Sequence, residues 1–234
     1  MKFIILPIIL LICNLCFGQA LSNNVKKGIY SAKQQSFSLA IDYFSKAIEV
    51  DKNDFLAYYY RGYVKAVLKK YRAAINDLNK TIELNPTFTN AYVERGVAKF
   101  KIDDDFGAVK DFNKAIDLDP TNVSAYLNRG IVKEKIAGYQ IAILDYNKAI
   151  EINPDYTKAY YYRGLAKAYS EDHRGAIEDY NKVIKYDSNN ALAYYYRGFS
   201  KLELQDKNGG CLDFDKAGEL GYEEGYTSIK LWCN

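Results

Sequence analysis

Histidine is nearly absent from this 234-residue sequence, where His173 stands alone. No second histidine or cysteine sits at zinc-ligand spacing, so a metal centre has no ligand set to draw on. A histidine-dependent acid–base centre has as little to work with, because His173 falls in the polar stretch EDHRG, which reads as a solvated turn between helices. There is no glycine-rich phosphate loop, and no serine stands in a nucleophile elbow. Asp103, Asp104 and Asp105 form an acidic run that lacks the glycine and closing glutamate of a calcium loop. Neither catalysis nor a cofactor is therefore expected. Basic residues exceed acidic ones by only three and form no block, which removes the electrostatic footprint of nucleic-acid binding. Four prolines against 49% hydrophobic residues exclude a disordered or collagen-like chain and favour a helical one.

Long apolar runs are also scarce. The clearest one, Phe3 to Leu15, follows Lys2 and precedes small or polar residues around Gly18 and Gln19. A charged end, a hydrophobic stretch and a cleavable segment are the layout of a secretory signal. The run is short of the roughly 20 apolar residues a bilayer crossing needs. Residues 1–18 are thus expected to be removed, leaving a secreted or periplasmic chain of residues 19–234 with no transmembrane span. A lipoprotein acylated on Cys13 or Cys16 is the alternative, although Ile12 and Leu15 occupy the preceding places where a small residue is usual.

What the sequence does have is a period. Arg61-Gly62, Arg95-Gly96, Arg129-Gly130, Arg163-Gly164 and Arg197-Gly198 follow one another at intervals of 34 residues. A fixed interval of this size means stacked copies of one supersecondary unit. The copies run about 55–88, 89–122, 123–156, 157–190 and 191–222, with a divergent copy at 21–54 and a cap at 223–234. Each holds two stretches with helical apolar spacing and no strand-like alternation. Asn85-Pro86, Asp119-Pro120 and Asn153-Pro154 stop the second helix, because proline disfavours helical geometry in the residue before it. Twelve helices and a terminal one are expected, in one solenoid.

Tyr126, Gly130, Ala142, Tyr146, Ala149 and Pro154, with their counterparts in the other copies, resemble the tetratricopeptide repeat over residues 21 to about 222. The resemblance implies an all-α solenoid, a right-handed superhelix of helix-turn-helix units with a concave face, closed here by a C-terminal capping helix. Where many such repeats carry leucine before the glycine, this chain has arginine. Sixteen residues after each arginine stands an aspartate, which predicts ion pairs Arg61–Asp77, Arg95–Asp111, Arg129–Asp145, Arg163–Asp179 and Arg197–Asp213. Lys65 and its equivalents Lys99, Lys133, Lys167 and Lys201 share the arginine face.

The ligand surface that the resemblance implies is the first helix of each unit. The expected groove residues are Tyr59, Tyr63, Phe100, Leu127, Tyr161, Tyr169, Tyr195 and Phe199, with charges such as Glu134 along one edge. An apolar stripe of this kind marks an interaction site, and tyrosine is a favoured anchor. A protein or peptide segment is the expected partner. A carbohydrate module stacking sugars on tyrosine and a self-associating envelope protein are the alternatives. Signal removal leaves Cys211 and Cys233, an even pair that an oxidising compartment would join as a disulfide.

Overall fold

The computed structural model describes residues 21–233. The expected signal segment, residues 1–18, and the lipoprotein alternative on Cys13 or Cys16 lie outside the described residues. Thirteen helices and no strands occur among those described. They are α1 (Asn23–Lys33), α2 (Phe37–Val50), α3 (Phe55–Val67), α4 (Tyr71–Leu84), α5 (Thr89–Phe100), α6 (Asp105–Leu118), α7 (Val123–Ala137), α8 (Tyr139–Ile152), α9 (Thr157–Tyr169), α10 (His173–Tyr186), α11 (Ala191–Glu203), α12 (Lys207–Glu219) and α13 (Glu224–Trp232). They fall into two compact units, one ending at Asp104 and the other beginning at Asp105.

In the first unit α1 packs on α2, α2 on α3, α3 on α4 and α4 on α5. Its core gathers Val25, Phe44, Tyr59, Tyr60, Leu78 and Phe88. In the second unit each helix from α6 to α13 packs on the next, and the first helices α7, α9 and α11 also touch in sequence. Tyr126, Leu127, Tyr146, Ala149, Ala159 and Ala166 form a core there. Burying each large ring removes enough apolar surface to be worth about 2 to 3 kcal/mol.

The helix ends have a common cause that proline does not supply. Asp51, Asn85, Asp119, Asn153 and Asp187 each accept, through a side-chain oxygen, the N–H of the residue two further on. Two of them, Asp51 and Asp187, precede no proline, yet α2 and α10 stop at the same register. The Asx turn therefore ends the second helix, and proline only reinforces it. Asp54, Asn122 and Asn190 then cap the next first helix by accepting from the N–H three residues on. His173 is not a solvated loop residue. It opens α10 directly after the capping Asp172 and is half-buried.

Within a pair, the glycine position decides how near the second helix can come. A Cβ on Gly130 would lie 2.5 Å from Cε1 of Tyr146, so the absent methyl is the space that ring fills. After α12, Gly221 at φ 91° turns the chain into α13. Cys211 on α12 and Cys233 at the end of α13 are joined by a disulfide.

Candidate functional site

Arginine organises the seam between helices. Arg129 Nε donates to Asp145 Oδ2 at 2.9 Å and its Nη2 to Oδ1 at 2.6 Å, a two-pronged pair. Lys133, one turn along α7, closes on the same carboxylate at 3.0 Å. The third nitrogen, Nη1, reaches Asn113 Oδ1 of the preceding repeat at 2.7 Å. The guanidinium also lies over the Tyr126 ring, 5.4 Å from its centroid. Arg163 repeats the set with Asp179 and Asn147, and Arg197 with Asp213 and Asn181. In the first unit Arg61 grips Asp77, and Ser45 takes the place of the asparagine. Arg95 donates to Asn79, while Asp111 belongs to the other unit.

Arg61, Arg129, Arg163 and Arg197 are therefore committed to structure, each holding its helix pair together and tying it to the repeat before, and Arg95 makes the tie to the repeat before. The asparagine arm was not foreseen, although its signal is in the sequence: Asn79, Asn113, Asn147 and Asn181 also recur every 34 residues.

The expected groove residues divide into three kinds. Tyr59 and Leu127 are core side chains, 3% and 4% exposed, and line no open surface. Tyr59 packs edge-on against Tyr60 and Phe88, centroids 5.2 and 4.9 Å apart. Neighbouring helices close over this register, so neither side chain reaches the groove that the sequence predicts for it. Tyr63 and Phe100 are half-buried on α3 and α5. Tyr63 shares its surroundings with Glu94, whose carboxyl burial pushes up to about 7, and the Tyr63 phenol is in turn pushed up to about 12 by burial and by that carboxylate.

The remaining four lie in the second unit. Tyr161 on α9 and Tyr195 and Phe199 on α11 are half-buried. Tyr161 meets Tyr196 at 6.1 Å and Tyr195 meets Phe199 at 5.0 Å, both edge-on. Tyr222, from the turn before α13, abuts Tyr195 at 4.8 Å and bounds the row at its C-terminal side. Tyr169 stands 62% exposed and stacks on Tyr139 at 5.0 Å. Glu134 is not a free edge charge, since its Oε1 accepts the buried Tyr146 hydroxyl at 2.8 Å. Burial raises the carboxyl pKa of Glu134, and the tyrosine bond offsets part of that rise.

What this face offers is ring surface with hydroxyl groups, and little charge that is not already paired. Among the described residues no cluster of three or more histidine, cysteine, aspartate or glutamate side chains could hold a metal ion. No described helix is long and apolar enough to cross a membrane.

One family model for the TPR repeat matches residues 107–136 and 168–205, and a second, for the tetratricopeptide repeat, matches residues 123–156. None of the curated proteins compared matches the chain. Among solved structures, a tetratricopeptide repeat protein from Parabacteroides merdae is 24% identical over 90% of this chain and 83% of its own, with a TM-score of 0.67. YrrB, described as a TPR protein with an unusual peptide-binding site, is 22% identical over 80% of this chain and 97% of its own, at 0.64. MamA is 25% identical over 74% of this chain and 99% of its own, at 0.63. The Arg-Gly period, the paired helices and these matches agree: residues 107–156 and 168–205 carry tetratricopeptide repeats, and the fold is that of tetratricopeptide repeat proteins.

Proposed function

We propose that this protein is an exported, non-enzymatic scaffold that holds a segment of another protein against the first-helix face of its second unit. The observation that carries the reading is the half-open aromatic row of Tyr161, Tyr195 and Phe199, with Tyr169 at its rim. Such rings bring large contact area at low conformational cost. YrrB, a protein of the same fold, has a peptide-binding site, which supports a peptide as the guest. Export is supported by the N-terminal pattern and by the Cys211–Cys233 disulfide, which fits an oxidising compartment.

A photoreactive benzoylphenylalanine at position 169 tests the binding reading, with the same residue at position 30 as control, since Tyr30 is comparably exposed but lies in the first unit. A discrete crosslinked partner from position 169, lost when Tyr195 and Phe199 are both replaced by alanine, is the expected result. Equal labelling from both positions would refute it. Mass spectrometry of the N-terminus after expression tests export, the expected mature chain starting near Gln19.

A further inference from the structure

One large-residue position recurs in the second helix of every repeat, a ring in all but one: Phe44, Leu78, Phe112, Tyr146, Tyr180 and Phe214. All six are fully buried. Four carry no polar atom and need no partner. Tyr146 gives its hydroxyl to Glu134 at 2.8 Å. Tyr180, one period later, buries its hydroxyl with no hydrogen-bond partner. The residue one period after Glu134 is Ala168, which has no acceptor to offer.

A buried, unmet hydroxyl is costly, and folded proteins contain few. Phenylalanine would fill the same place without that cost, as it does in three of the repeats. The phenol of Tyr180 faces the aromatic row. Its ring lies 6.5 Å from Tyr161 and 6.3 Å from Tyr196, and it feels Tyr169 electrostatically. Ala168 is partly exposed, so the approach to this hydroxyl from solvent runs over a small side chain. Tyr169, largely in water and stacked on Tyr139, stands at the rim of this approach.

We propose that Tyr180 is the donor of a recognition subsite over Ala168, its hydroxyl donating to a carboxyl or carboxamide oxygen of a glutamate- or glutamine-like side chain of the bound peptide. The guest then supplies what Glu134 supplies internally one repeat earlier. Aromatic faces of Tyr161 and Tyr196 pack the aliphatic stem of that side chain, and the phenol takes its terminal oxygen. A phenol O–H can donate to a neutral amide or to a carboxylate oxygen, the bond to the carboxylate being stronger and the amide costing less to desolvate. The proposal rests on the first-helix face being a peptide site.

Two measurements on the full chain test it. The first needs no ligand: Ala168→Glu should copy the Glu134–Tyr146 bond and raise the melting temperature by about 3 °C. The gain should vanish in Tyr180→Phe, a variant whose ring already occurs at the equivalent position in three repeats. An equal gain in both backgrounds would overturn the geometry. The second is parallel selection of a random 12-residue displayed peptide library on the wild type and on Tyr180→Phe. The wild type should enrich peptides with glutamate or glutamine at one fixed place beside apolar residues, and Tyr180→Phe should keep only the apolar preference. Synthetic peptides with Glu, Gln or Met at that place then identify the acceptor, the Met form binding about fivefold more weakly. An unchanged consensus on Tyr180→Phe, or a Met peptide as tight as the others, would sink the subsite and leave the peptide face standing. No enriched peptide on either protein would sink the peptide face itself.

Discussion

Replacing Arg163 with methionine while keeping Asp179 puts the arginine seam to its hardest test. The side chain of Asp179 is 3% exposed and that of Arg163 is 17% exposed, so the carboxylate is almost wholly out of water. Methionine keeps an apolar stem but removes the guanidinium over the Tyr160 ring, two bonds to Asp179, of 2.8 and 2.6 Å, and the 2.7 Å arm to Asn147. Breaking a buried pair from one side costs about 3 to 5 kcal/mol, because the remaining charge stays desolvated. Lys167, 3.0 Å from the same carboxylate, offsets part of that. The expected loss is therefore at the lower end, about 3 kcal/mol, or about 9 °C in melting temperature for a chain of this size. Adding Asp179→Leu should recover most of it, since a well-packed apolar pair can replace an ion pair at little cost. Urea titration followed by far-UV circular dichroism gives both numbers. Since the Asn147 arm ties one repeat to the previous one, the single variant should also broaden the transition as neighbouring repeats uncouple. A loss below about 0.5 kcal/mol, or a double variant no better than the single, would refute the reasoning.

Three other outcomes follow from the same structure. Glu94, raised by burial to about 7, binds more protons folded than unfolded between its ordinary value and that point, so stability should be greatest below pH 4.5 as far as this group is concerned and fall as pH rises through 7. Glu94 keeps part of its surface in water, which trims the effect to about 1 to 2 kcal/mol; Glu94→Gln should flatten the stability profile between pH 5 and 8, and an unchanged slope would contradict the assignment. Gly130→Ala gains helix propensity but drives a methyl into the Tyr146 ring and its bond to Glu134, for an expected net loss of about 2 kcal/mol in the same urea assay. Reducing Cys211–Cys233, which are 22 residues apart in sequence, should cost about 3 kcal/mol, seen as a lower melting temperature in reductant; identical melts would show that the bond contributes nothing.

Much of the architecture was legible from residue order because a repeat states its own unit several times. Helical apolar spacing, the small residue at Gly130 and its equivalents, and the ring opposite it are local properties, and a 34-residue interval multiplies their signal. The Arg–Asp interval of sixteen was readable for the same reason. The asparagine arm recurs at the same period, but nothing in one dimension says that Asn113 belongs to the arginine of the next repeat and not to its own. Proline marks only some of the helix stops, whereas the Asx turn present also at Asp51 and Asp187 is the general interaction.

The aromatic face was the least legible part. Tyr59 and Tyr195 hold the same place in their repeats and are the same residue, yet one is core and the other half-open. Periodicity places a side chain on a face of its own helix, and that much the sequence determined alone. Whether that face meets water depends on which neighbours lie across it: Tyr60 and Phe88 for Tyr59, Tyr222 and Phe199 for Tyr195. The same holds for Tyr146 and Tyr180, alike in sequence but separated by a glutamate that one repeat provides and the next lacks. Burial and hydrogen-bond satisfaction are properties of the surroundings of a group, so only the packed chain could decide them.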